Sequence, residues 1–167
     1  MTTEEKQLLL KDLCARAHYG VKCSVSAAKP PKTIVGIIPN SELVFVDKAT
    51  IFGPTEEGYN IELVKLYLRP LSSMTEEEKL KLVTLYLARD KRCRKDLMIK
   101  ETEFFLDNCW YVQITYKDEN DEEVISTVYI GRGSYIEEID WLNAHHFDYR
   151  ELIKKGLAFE ALEGMYN

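Results

Sequence analysis

The chain has only three histidines in 167 residues, and its four cysteines, Cys14, Cys23, Cys93 and Cys109, include no C-x-x-C pair. That spacing excludes a zinc knuckle and a thioredoxin-type redox motif and makes reduced thiols the expectation. No nucleophile elbow is present, and neither is a complete dinucleotide or P-loop glycine pattern, so the familiar signatures of acyl and phosphoryl transfer are missing. A basic stretch interleaved with aromatics, as on an RNA-binding sheet, is also missing. Apolar runs are broken by Lys, Glu or Pro within a few positions and stay well short of the roughly 20 residues that a membrane-crossing helix requires. The charged start Met1-Thr-Thr-Glu-Glu-Lys6 carries no apolar signal core, and export by that route is not expected.

What remains is a composition that is 46% hydrophobic, sufficient for one core in a single domain spanning residues 1–167. The formal charge of −6 conceals an asymmetry. Residues 1–100 hold 17 Lys/Arg against 13 Asp/Glu, and residues 101–167 hold 5 against 15, giving +4 and −10. This balance disfavours a generally nucleic-acid-binding exterior and leaves room for a local basic patch.

The opening Thr2-Thr-Glu-Glu5 fits a capping box, and Leu9, Leu10, Leu13, Cys14 and Ala17 recur at helical spacing, which predicts an N-terminal helix ended by Gly20. Short β-rich runs follow at Val21–Ser26, Thr33–Ile38, Glu42–Val46 and Ala49–Phe52, separated by Pro30-Pro31, Pro39-Asn40 and Gly53-Pro54. Ile61–Leu68 fits a strand or a helical turn. Ser73-Met-Thr-Glu-Glu-Glu78 offers a hydroxyl cap and three carboxylates at the positive end of the dipole of a central helix, Thr75 to Asp90. Strands are expected at Thr102–Leu106, Cys109–Lys117 and Glu123–Ile130, the last two forming a long hairpin. Ser134-Tyr-Ile-Glu137 is a second capping box, with Tyr135, Ile139, Leu142 and His146 on one helical face, and Asp148-Tyr-Arg-Glu151 has the form of a third, opening a last short helix to Gly156. Strands in blocks with helices before, between and after them predict an α+β fold, a mostly antiparallel sheet with four helices.

Four constellations bear on chemistry. His145, His146 and Asp148 are the metal candidates, since imidazole and carboxylate are standard ligands. Adjacent helical residues diverge by about 100 degrees, however, so both imidazoles reach one ion only if the helix ends between them. The simpler expectation is that His146 packs, His145 is exposed and Asp148 caps. Gly131-Arg-Gly-Ser134 leads from strand to helix, where anions can bind, yet turn and cap explain the same residues. Arg89, Lys91, Arg92, Arg94 and Lys95 form the one dense basic run, an anion or nucleic-acid patch diluted by Asp90 and Asp96. His18 follows the first helix, where it complements the dipole. No catalytic residue and no cofactor follow from these patterns.

Four stretches in three regions of the chain carry a resemblance. Trp141-Leu-Asn-Ala-His-His-Phe-Asp-Tyr-Arg150 with Glu163-Gly-Met-Tyr-Asn167, Leu9-Leu-Lys-Asp-Leu-Cys-Ala-Arg16, and Tyr67-Leu-Arg-Pro-Leu-Ser-Ser-Met-Thr-Glu-Glu77 resemble a family of small uncharacterised proteins carried by phages and prophages of gut Bacteroidales. The likeness touches both ends and the middle and leaves out residues 25–61. It implies a genetic setting and supplies no catalytic residues. The resulting expectation is a non-catalytic accessory protein in the cytoplasm of a bacterial host or in the virion, binding a host or phage protein and no membrane. A small metal-dependent hydrolase and a nucleic-acid-binding protein are the alternatives. The stretch from Trp141 to Asn167 carries too much apolar surface to stay in water and is expected to dock.

Overall fold

A computed structural model describes residues 1–25, 30–50, 53–87, 95–104, 110–118, 120–130 and 136–166. The chain divides into two compact units, one of residues 1–70 and 143–167, the other of residues 71–142. It is an α+β fold whose main sheet is mostly antiparallel.

In the first unit, helix α1 (Thr3–Arg16) precedes strands β1 (Lys22–Ser24), β2 (Lys32–Ile38), β3 (Leu43–Thr50), β4 (Gly53–Asn60) and β5 (Lys65–Leu68). The expected capping box is present: Thr2 Oγ1 accepts from the Glu5 amide at 3.1 Å and the Glu5 carboxylate accepts from the Thr2 amide at 2.7 Å. Of Ile61–Leu68, left open between strand and helical turn by the sequence, Ile61–Leu63 is one 3-10 turn and Lys65–Leu68 is strand β5. A further strand, β9 (Ala158–Glu160), returns to pair in parallel with β5, and the sheet order is β4-β3-β2-β1-β5-β9.

The inner face of this sheet collects Cys23, Ile34, Val44, Val46, Leu66 and Leu68, all buried, against Leu9 and Leu13 of α1. Burial of such side chains, at about 25 cal/mol per Å², is the main driving term. Cys14, placed by its spacing on the apolar face, is exposed; the buried face of α1 is Leu9, Asp12, Leu13 and Arg16. Strand β4 pairs with β3 along eight residues although its sequence, GPTEEGYN, has little strand character. As the outer strand it tolerates Pro54 and glutamates. Gly58 leaves room for Phe45, since a Cβ there would stand 3.2 Å from the ring.

The second unit contains α2 (Glu76–Leu87), β6 (Lys95–Phe104), β7 (Trp110–Lys117), β8 (Glu123–Ile130) and most of α3 (Ile136–Ala144). Here Thr75 is the cap: its hydroxyl accepts from the Glu78 amide at 3.2 Å, and the Glu78 carboxylate accepts from the Thr75 amide at 2.8 Å. The predicted hairpin forms with Trp110 opposite Ile130 and Lys117 opposite Glu123, and β6 completes an antiparallel sheet in the order β6-β7-β8. Strand β6 is longer than the expected Thr102–Leu106.

Three α-helices are found among the described residues. The fourth, expected from Asp148 to Gly156, does not form. Glu151 takes a left-handed conformation, φ 58°, which breaks the helix at the position meant to complete its capping box. One turn survives, closed by the Lys155 amide on the Glu151 carbonyl, and the amides of Leu157 and Ala158 then both bond Leu152. His146 likewise lies beyond α3 and not on its face, with φ 60°. No helix among the described residues is long and apolar enough to cross a membrane.

Candidate functional site

Among the described residues, a dense polar constellation lies in the first unit, where α1 meets the segment after α3. Residues 9, 12, 13 and 16 share one helical face, so Asp12 and Arg16 are carried inward with the leucines, and both side chains are 0% exposed. Arg16 Nε donates to Asp12 Oδ2 at 2.7 Å, and Arg150 Nη1 donates to Asp12 Oδ1 at 2.6 Å. Arg16 Nη2 donates to the carbonyl of Phe147 at 2.7 Å. Both carboxylate oxygens of Asp12 are thus engaged, and the guanidinium of Arg16 ties α1 to a segment 131 residues away. The Tyr149 ring packs against both guanidinium groups, with Arg16 5.3 Å and Arg150 4.7 Å from its centroid, and its hydroxyl donates to Asn143 Oδ1 at 3.0 Å.

Around this cluster the backbone is clamped. The Arg69 amide donates to the His146 carbonyl at 2.8 Å and the Asp148 amide to the Arg69 carbonyl at 2.7 Å, forming a parallel bridge. The Arg69 guanidinium stacks on Phe147, 4.2 Å from its centroid. Asp148 caps as expected, although no helix follows: its two oxygens accept from the amides of Leu152 and Ile153, each at 2.8 Å.

His146 is buried and stacks on Tyr166 with 3.9 Å between ring centroids. Tyr166 donates its hydroxyl hydrogen to the Tyr67 carbonyl at 2.7 Å and accepts from the Lys22 amide at 2.9 Å. Arg16 Nη1 and His146 Nδ1 are buried with no hydrogen-bond partner in the protein.

The electrostatics follow from burial. Desolvation, helped by the positive charges of Arg16, His145, Arg69 and Lys22, drives His146 down to about 4, so its ring is neutral at pH 7. Burial raises Asp148 against the opposing pull of its two backbone donors. It also raises Tyr149, and it pushes Tyr166 and Cys23 each up to about 12. A thiol so placed stays protonated and is a poor nucleophile.

The metal candidates therefore meet different fates. His146 and Asp148 are both buried, Asp148 with its oxygens committed to backbone, while His145 is half-buried where exposure was expected. No group of three His, Cys, Asp or Glu among the described residues is disposed to hold a metal. Of the basic patch, Arg89, Lys91, Arg92 and Arg94 lie outside the described residues, as does Gly131-Arg-Gly-Ser134, and Lys95 opens β6. His18 is exposed in the 3-10 turn after α1, its ring tilted against that of Tyr19.

Sequence reasoning missed Asp12, Arg16 and Arg150. A signal existed, because 9, 12, 13 and 16 fit the helical period as well as 9, 10, 13, 14 and 17 do, but charged residues are by default assigned to water. Compared with known protein families, curated proteins and solved structures, the chain matches none.

Proposed function

We propose that this chain is a phage- or prophage-encoded accessory protein that acts by binding a host or viral macromolecule, in the bacterial cytoplasm or in the virion, and not by catalysis. The genetic setting and the partner rest on the sequence resemblance, and one structural observation supports the non-catalytic part of this reading. The buried ionic cluster spends its hydrogen bonds on the chain itself: Asp12 on Arg16 and Arg150, Arg16 on the Phe147 carbonyl, and Asp148 on two backbone amides. Groups held this way build a rigid scaffold for a surface, whereas catalytic acids and bases are poised toward a substrate with pKa values near the working pH.

The test is affinity purification of the full-length chain from an infected bacterial host, with cross-links mapped onto its residues. A reproducible partner cross-linked to this chain's surface is the expected result. Repeated purifications without a partner, together with turnover of a small molecule by the purified protein, would overturn the proposal. Two control measurements separate the alternatives. Stoichiometric zinc or manganese in untagged protein would favour a hydrolase built on His145, His146 and Asp148. Salt-sensitive retention on DNA or RNA would favour Arg89–Lys95 as a phosphate-binding patch.

A further inference from the structure

The ladder between β1 and β5 stops abruptly. Cys23 lies opposite Leu66 and Ser24 opposite Lys65, so the next antiparallel pair would be Lys22 and Tyr67. Instead the Lys22 amide and the Tyr67 carbonyl each bond the Tyr166 hydroxyl, at 2.9 Å and 2.7 Å. One side chain arriving from far along the chain completes a main-chain pairing, as donor to one strand and acceptor from the other.

The segment that delivers it is exposed along residues 162–164. The Ala161 amide bonds the Leu68 carbonyl at 2.8 Å, and the Met165 amide closes a turn on Leu162 at 3.0 Å. Between these, Glu163 and Gly164 are exposed and Leu162 is 60% exposed. The turn is therefore anchored at its two ends, with the Tyr166 ring stacked on His146. Regions with few buried apolar contacts open locally at a fraction of the global cost.

We infer that residues 162–166 form a releasable clasp, a strap that opens as a unit while the sheet stays folded and uncovers the end of the β1–β5 ladder together with the His146 ring. This device is independent of any partner.

Hydrogen exchange on the full-length protein tests it. In mild denaturant the Lys22 amide should exchange through a local opening, with little denaturant dependence and at least about tenfold faster than the Val44 and Val46 amides, which close only with the core. Tyr166→Phe keeps the ring and removes the hydroxyl. It should speed Lys22 exchange by a further factor on the order of ten, the equivalent of one net hydrogen bond, and leave Val44 and Val46 unchanged. Lys22 exchange that tracks the core amides in rate and denaturant slope would overturn the inference. So would a Tyr166→Phe protein that exchanges like the parent or fails to fold, since either would make the segment part of the cooperative core or the hydroxyl irrelevant.

Discussion

The two units close by different means. In residues 71–142 each strand of the sheet pairs with its sequence neighbour, β6 with β7 and β7 with β8. In the other unit the sheet is completed by β9, whose partner β5 lies some ninety residues earlier, as in the pair Leu68 and Glu160. The side-chain ties span comparable distances: Arg150 to Asp12 is a separation of 138 residues and Tyr166 to Tyr67 one of 99. A unit built from neighbouring strands loses stability locally when altered, whereas one closed from a distance is vulnerable at its last contacts.

Truncation after Asn143 should break the comparison most severely. It removes β9 and the buried Phe147, Leu152, Leu157 and Ala158, and it leaves Asp12 and Arg16 without Arg150 and the Phe147 carbonyl. The product is expected to be insoluble or to lack the cooperative melting of the first unit; a truncated protein with the parental melting temperature would show that the distant closure is dispensable. Next in size is Asp12→Ala, which strands a buried guanidinium. Breaking a buried pair from one side costs about 3–5 kcal/mol, measurable as a lower denaturant midpoint at constant slope.

The third comparison uses pH. His146 is held at about 4, below its ordinary 6.5, so the unfolded chain takes up the proton first and stability present above pH 6.5 is lost as pH falls through 4, by up to about 3 kcal/mol. Asp148 is raised and works in the opposite sense: its contribution is present below the ordinary 3.8 and disappears as pH rises through its folded value. The His146 share of the stability read in denaturant melts should therefore fall between pH 7 and 4, against the opposing share of Asp148. His146→Asn, which tolerates φ 60° and carries no charge, should flatten the profile. An unchanged slope in that variant would remove His146 as the cause. The smallest effect belongs to the other unit, where Thr75→Ala deletes a cap bonded to the Glu78 amide and should cost about 1 kcal/mol. A much larger loss would mean that this unit, too, depends on more than local devices.

The same division governs what the sequence reveals. Thr2 with Glu5, the cap of α2 and the strand Glu123–Ile130 are local patterns, and each is found where spacing places it. Strand β4 is not legible, because GPTEEGYN becomes a strand only through its ladder to β3 and the fit of Phe45 over Gly58. The last helix is misread for a related reason. Asp148-Tyr-Arg-Glu151 has the composition of a capping box, but Glu151 turns left-handed and the chain is redirected toward β5. Of the candidate site, the capping role of Asp148 and the packing of His146 are legible. The inward pair Asp12 and Arg16 is not, since its partners Arg150 and Phe147 are neighbours only in space.

Strand β9 has a consequence during synthesis. Its parallel register on β5 means that the free side of Leu66, Tyr67 and Leu68 cannot be covered until residues 158–160 have left the ribosome. At about 5–20 residues per second, the ninety or so intervening residues take roughly 5 to 20 s to make. Throughout that interval the nascent chain presents an open sheet margin, so the window for capture by a chaperone or for mispairing with a neighbouring polysome chain is set by the elongation rate.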